Sequence, residues 1–178
     1  MGVMPPRRIL ALWWPSLALD RWRQAHGLAP GEGADGSPFA LVTDTAHGPR
    51  LDAVNAAART AGPAPGMLLA DARTLCPALA VAPSDPVGDL ALLERLALWA
   101  RRWGPWSALD PPDGVLVDVS AVAHLFGGEE RLLADVHARC AARALAVRAA
   151  IAPTAGAAWA LAHYEPERAI LCADADIA

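Results

Sequence analysis

Cysteine is scarce and scattered. Cys76, Cys140 and Cys172 are the only three in 178 residues, with neither a C-x-x-C pair nor a Cys/His ligand spacing. That count excludes a disulfide framework, offers no zinc site and fits reduced thiols. An excess of positive charge is also missing. Acids outnumber bases 19 to 15, for a net charge of −4, which excludes a strongly basic nucleic-acid-binding module. Any attraction for polyanions has to come from local patches such as Arg7-Arg8, Arg21/Arg23 and Arg101-Arg102. Long apolar runs are absent as well: the run Ile9 to Trp14 is too short for a signal segment or a membrane span. The expected location is the cytoplasm, with no membrane partner. His124, His137 and His163 share no ligand spacing and no triad companion. Gly127-Gly128 lacks the G-x-G-x-x-G context of a phosphate cradle and reads as a turn before a helix.

What is present is apolar material for a core, 54% of the chain, enough for one ordinary domain or two small ones. Ile9–Trp14 reads as a buried strand bounded by prolines, followed by a helix from Pro15 to about His26. Residues 27–38 form a glycine- and proline-rich loop. Short elements follow: a strand over Phe39–Thr43, helices over Val54–Ala61 and Met67–Leu75, and a strand over Leu79–Ala82. From Asp89 the spacing of Leu90, Leu93, Leu96, Ala97 and Ala100 predicts an amphipathic helix to about Trp103. A strand over Val115–Val119, a helix from Glu129 to about Leu145, a strand over Ala146–Ile151, a helix from Thr154 to Tyr164 and a strand over Arg168–Cys172 complete the series. Glu129 and Glu130 fall in a first helical turn, where the helix dipole favours acid. The order predicts an α+β, ferredoxin-like sheet. Most of the seven tryptophans, Trp13, Trp22, Trp99 and Trp159 among them, fall at core spacing, which favours packing over base stacking.

One strand carries a chemical hint. Two-metal nucleotidyl transfer needs carboxylates converging on ions about 3.5–4 Å apart, from neighbouring strands. Asp113 stands at the start of the strand Asp113–Ser120, but its neighbour is Gly114, and the strand expected to face it, Ile9–Trp14, has no acid. Asp113 itself reads as an exposed turn acid after Pro111-Pro112, and Asp118 as a turn cap or arginine partner.

Three stretches carry a resemblance. Leu12-Trp13-Trp14-Pro15-Ser16-Leu17-Ala18-Leu19-Asp20-Arg21 is one. Ala58-Arg59, Gly62 and Gly66-Met67 with Leu75-Cys76-Pro77 is another. The third is Asp118-Val119-Ser120 through His124-Leu125-Phe126-Gly127-Gly128-Glu129, with Ala157-Ala158-Trp159-Ala160-Leu161-Ala162. Together they resemble the Y-family (lesion-bypass) DNA polymerases, in their ImuB branch. The resemblance implies a ferredoxin-like palm (1–24 and 83–178) with a small fingers insert (25–82), the thumb and little finger being absent.

Carried over position by position, the resemblance puts the first metal-binding aspartate at Ala11, a second acid near Trp13, and the Asp-Glu pair at Asp113-Gly114. The fingers residues that touch a triphosphate fall at Ala53 and Ala56. Arg59 is left as a phosphate-contact remnant, and a palm lysine becomes Trp159. Such a site implies no catalytic residues, no metal beyond a weak candidate at Asp113, and no cofactor.

The function implied is a catalytically inactive adaptor in translesion synthesis and damage-induced mutagenesis of a bacterial SOS response. Its partners would be an error-prone C-family DNA polymerase, a RecA-like ImuA-type protein and the sliding clamp, with weak contact to damaged DNA. A Q-x-x-L-F-like clamp peptide is missing; Ala123-His124-Leu125-Phe126 begins with the wrong residue. The alternative is an active or weakly active Y-family polymerase using Mg²⁺ at Asp110, Asp113 and Asp118.

Overall fold

The computed structural model describes residues 6–27, 36–165 and 169–170. The first apolar run forms strand β1 (Ile9–Trp13). It lies between two antiparallel neighbours, which is why it needs no polar side. The later strands are β2 (Phe39–Thr43), β3 (Arg50–Val54), β4 (Ala80–Pro83), β5 (Trp106–Asp110), β6 (Gly114–Asp118) and β7 (Arg148–Ala152). The helices are α1 (Leu17–Ala25), α2 (Ala56–Thr60), α3 (Leu69–Leu75), α4 (Pro86–Ala100), α5 (Glu129–Ala141) and α6 (Ala155–Tyr164). Two compact units result, one of Met1–Pro15 with Leu90–Ala178 and one of Ser16–Asp89.

The first unit holds a four-stranded sheet of order β5-β6-β1-β7, antiparallel throughout. Its connections give the ferredoxin-like α+β arrangement expected. Side chains alternate across a strand, so β1 serves both layers. Ile9 and Ala11, with Ala150 and Ala152 of β7, pack on Ala158, Leu161 and Ala162 of α6. Small alanines let this helix approach the sheet closely. Leu10, Leu12 and Trp14 are buried and point the other way. There α5 buries Leu132, Leu133, Val136 and Cys140, with Cys140 beside Trp14. Burial pushes the Cys140 thiol up to about 11, so it stays protonated and packs as a small hydrophobe.

Arg8, buried at the entry to β1, grips Glu129 through Nε and Nη2, both at 2.6 Å. Glu129 therefore anchors the first turn of α5 to the sheet. Breaking so shielded a pair costs on the order of 3–5 kcal/mol.

The second unit is built on a three-stranded sheet of order β3-β2-β4. Central β2 is antiparallel to β3 and parallel to β4. One core gathers Ala40, Leu51, Val54, Ala58, Ala72, Cys76 and Leu79. A second joins Leu19 of α1 to Phe39 and Leu41, so α1 packs with this unit although the sequence reading grouped it with the palm. Arg21 of α1 also pairs with Asp89 and Asp85.

The sequence reading missed two strands. A helix was expected from Val54, but β3 runs through it, and buried Asn55 makes the break. Its Oδ1 accepts the Ala58 N–H at 2.8 Å and the Phe39 N–H at 3.1 Å, capping α2 while stitching the chain to β2. Edge strand β5 is mostly exposed, so it has no continuous apolar signature. The loop expected over residues 27–38 lies mostly outside the described residues, as do Cys172 and most of the last expected strand. Of that strand, Ile170 bridges Ile151 in parallel. No helix among the described residues is long and apolar enough to cross a membrane.

Candidate functional site

The place to look for chemistry is where the end of β1 meets the start of β6. The register pairs Trp13 with Gly114, and Ala11 with Leu116 on one side and Ala150 on the other. Ala11 therefore sits inside the sheet, buried under α6, and Trp13 is the β1 residue opposite Gly114. The Trp14 N–H donates to the Asp113 carbonyl at 2.9 Å, and the Trp13 indole lies near the Asp113 carboxylate.

The Trp13 ring continues into an aromatic stack. Its centroid lies 4.0 Å from that of His163, with 19° between planes, and Trp159 lies 4.0 Å from the same imidazole at 23°. Two near-parallel rings that close cannot share one face, so His163 is held between two indoles. Its Nδ1 lies 2.8 Å from the Trp159 carbonyl oxygen. Arg148, the β7 neighbour of Trp13, places its guanidinium 5.2 Å from the Trp13 ring centre, a cation–π distance. Sequence reasoning set His163 aside and did not single out Arg148. The usable signal was the i,i+4 pairing of Trp159 with His163 on α6.

Asp113 is half-buried, correcting its reading as an exposed turn acid. Burial pushes its carboxyl above the ordinary carboxylate range and Asp110 adds to the rise; the Trp13 indole and the His163 charge pull the other way. Asp118 sits at the far end of β6 opposite Ile9. It accepts from the Ser120 hydroxyl at 2.6 Å and the Ser120 N–H at 3.0 Å, capping the turn as one expectation held. That hydrogen bonding holds it below the usual range.

A pair of divalent ions does not fit this donor set. Among the described residues, no three His, Cys, Asp or Glu side chains gather as a metal ion would require. Gly114 is also closely confined. A β-carbon there would lie 2.8 Å from the Asp110 carbonyl oxygen and 2.9 Å from its Oδ2, so a longer side chain would force the hairpin backbone to shift. The position beside Asp113 is confined by the β5–β6 turn, with Trp13 its cross-strand partner on β1.

The remaining sequence-marked residues lie elsewhere. Arg59 is exposed on α2 in the second unit, where Ala53 lies on β3 and Ala56 opens α2. Ala123–Phe126 forms a 3₁₀ turn that leaves Leu125 exposed.

Comparison with known proteins bears on the whole chain. The model of the impB/mucB/samB family (IMS) matches residues 34–163. The proteins called ImuB from two strains of Caulobacter vibrioides, NA1000/CB15N and CB 15, are each 47% identical over 106 residues, 60% of this chain and 23% of theirs. Among solved structures, an insertion ternary complex of Dbh DNA polymerase matches with a TM-score of 0.79 at 14% identity, over 93% of this chain and 49% of that one. DinB from Sulfolobus solfataricus gives 0.74 at 15% identity, over 93% and 48%. The match thus spans under a quarter of these ImuB proteins, and this chain about half of each polymerase chain. At such identities the structural likeness establishes the fold, that of a Y-family polymerase palm and fingers. The fold and the family match together show that the chain belongs to the impB/mucB/samB family.

Proposed function

We propose that this chain is a polymerase-like module that performs no nucleotidyl transfer and serves as an accessory in translesion DNA synthesis. The observation that carries the reading is the Trp13–His163–Trp159 stack at the end of β1, with Trp13 paired to Gly114 in the sheet register. Two divalent ions and a triphosphate need several converging carboxylates to offset their mutual repulsion. Here the end of β1 brings indole and imidazole rather than acid, and of the two nearby carboxylates, Asp113 is held back from ionising by burial and by Asp110. Ala53 and Ala56 bring no side-chain donor to phosphate, and Trp159 brings no charge.

The adaptor role is supported by the 47% identity to the Caulobacter ImuB proteins over the matched segment. In this reading the module works in the cytoplasm during a DNA-damage response, alongside an error-prone C-family polymerase, a RecA-like ImuA-type protein and the sliding clamp. Contact with damaged DNA is weak, and Arg59 contributes at most one phosphate contact.

The test is a Mn²⁺ titration followed by electron paramagnetic resonance, with and without a deoxynucleoside triphosphate. The expected result is that protein leaves the signal of the hydrated ion unchanged beyond what nucleotide alone does. Loss of that signal on adding protein, restored by Asp113→Ala, would overturn the non-catalytic reading in favour of a metal-dependent polymerase using Asp110, Asp113 and Asp118.

A further inference from the structure

The C-terminal halves of α4 and α5 carry a second tryptophan–cation cluster that the polymerase reading does not use. Arg102 and Arg143 lie over the Trp99 ring at 4.6 and 4.4 Å from its centre. Arg102 Nε also donates to the Trp99 carbonyl at 3.1 Å. Arg139 Nε contacts both Asp135 carboxylate oxygens, at 2.8 and 2.7 Å, and buried Trp103 donates to Asp135 Oδ2 at 2.8 Å. Loss of surrounding water, then the charges of Arg139 and Arg143, hold the Arg102 guanidinium below its ordinary value; Asp135 opposes them. Cations are thus kept together against their own repulsion by an indole and one carboxylate.

The surface beside this cluster is exposed, with one large apolar side chain among charges. Leu98 is 66% exposed, and Arg95, Arg101 and Arg102 are exposed at spacings of three and four residues from it. Glu94 is the carboxylate of the same stretch of α4. Every one of the chain's fifteen basic residues is arginine, the side chain that binds carboxylate in a planar fork and loses little freedom on doing so when already held.

We propose that this face, Leu98 with Arg95, Arg101 and Arg102 and the Trp99-held guanidiniums behind them, docks an acidic protein segment that also carries an apolar side chain. Charge complementarity selects the acidic partner. The exposed leucine selects protein over nucleic acid, whose backbone offers nothing for an aliphatic surface. Trp99 is already committed to two cations, so it does not serve as a platform for base stacking. The proposal is independent of whether the Asp113 region binds metal.

The test is fluorescence anisotropy of the 178-residue chain with a labelled peptide of alternating glutamate and leucine. A glutamine-for-glutamate peptide and a single-stranded oligonucleotide of similar length serve as competitors. The glutamate peptide is expected to bind and the glutamine peptide to bind far more weakly. Arg101→Ser with Arg102→Ser should weaken binding about tenfold, and Leu98→Ser about threefold, values typical of central and flanking contacts. All three positions are exposed, so circular dichroism should show an unchanged fold. Arg101→Lys with Arg102→Lys should recover only part of the affinity, because charge returns without the fork. Equal binding of the two peptides, or undiminished binding by the double serine variant, would overturn the proposal. So would an oligonucleotide that displaces the peptide and depends on the same arginines more steeply.

Discussion

Two tryptophan–cation clusters occupy the first unit, and they put indole to opposite uses. Around Trp13 the stacked neighbours are aromatic, His163 and with it Trp159, while Arg148 lies at the ring. Around Trp99 one neighbour is aromatic, Trp103 edge-on at 4.7 Å, and the ring faces are taken by two guanidiniums. The first fills space with weakly polar rings and leaves its carboxylate short of water. The second uses one ring to hold charge at the surface. Ring-on-ring packing brings no carboxylate to its site, while ring-on-guanidinium packing gathers positive charge on one ring.

The largest effect that would sharpen this contrast is Trp13→Ala. Removing the half-buried indole opens a cavity beside His163, costing about 2–3 kcal/mol in urea denaturation. Trp99→Ala, which loses two cation–π contacts and the edge contact with Trp103, should cost about 1–2 kcal/mol. Equal losses would mean that the two clusters do the same structural job. Next comes Gly114→Glu, which puts back an acid beside Asp113. The clash with the Asp110 backbone should destabilise by about 2 kcal/mol, with no Mn²⁺ binding gained in the resonance titration. Tight Mn²⁺ binding by this variant would break the picture of a confined site.

Smaller effects follow from the two acids of β6 and its turn. The folded Asp113 has a raised pKa. Its contribution is fully present below the ordinary carboxylate range and is lost as pH rises through the folded value. Asp113→Asn removes that decline. The variant should match the parent at acid pH and exceed it near neutrality, by denaturation midpoints at both. Asp118 is the reverse, because Ser120 holds its pKa down. Its contribution is present above the ordinary carboxylate range and lost as pH falls through the folded value. Asp118→Asn should cost less than about 1 kcal/mol at neutral pH, since the group is well solvated, and nothing at low pH.

Much of the fold was legible because local patterns and global packing agree. The acid-free run Ile9–Trp13 had to be an inner strand. The spacing of Leu132, Leu133, Val136 and Cys140 had to be a buried helix face. Strand β5 was not legible, because an edge strand with Trp106 75% exposed has no alternation to read. The start of α2 was misplaced because Asn55 acts through the chain it is folded against. At the candidate site, Asp113 and Gly114 could be marked from the sequence, but Trp13 as the residue paired with Gly114 could not. A two-residue difference in register is invisible until strands pair.

The sequence alone determined the α+β class, the acid-free first strand and the lack of net positive charge, because composition and periodicity constrain these directly. Only the tertiary structure decided that Trp13, His163 and Trp159 form one stack and that Trp99 gathers arginines from two helices. Trp13 is far along the chain from the Trp159–His163 pair, as Trp99 is from Arg143, and no local preference encodes which distant rings and charges a folded sheet and its helices bring within 4 to 5 Å.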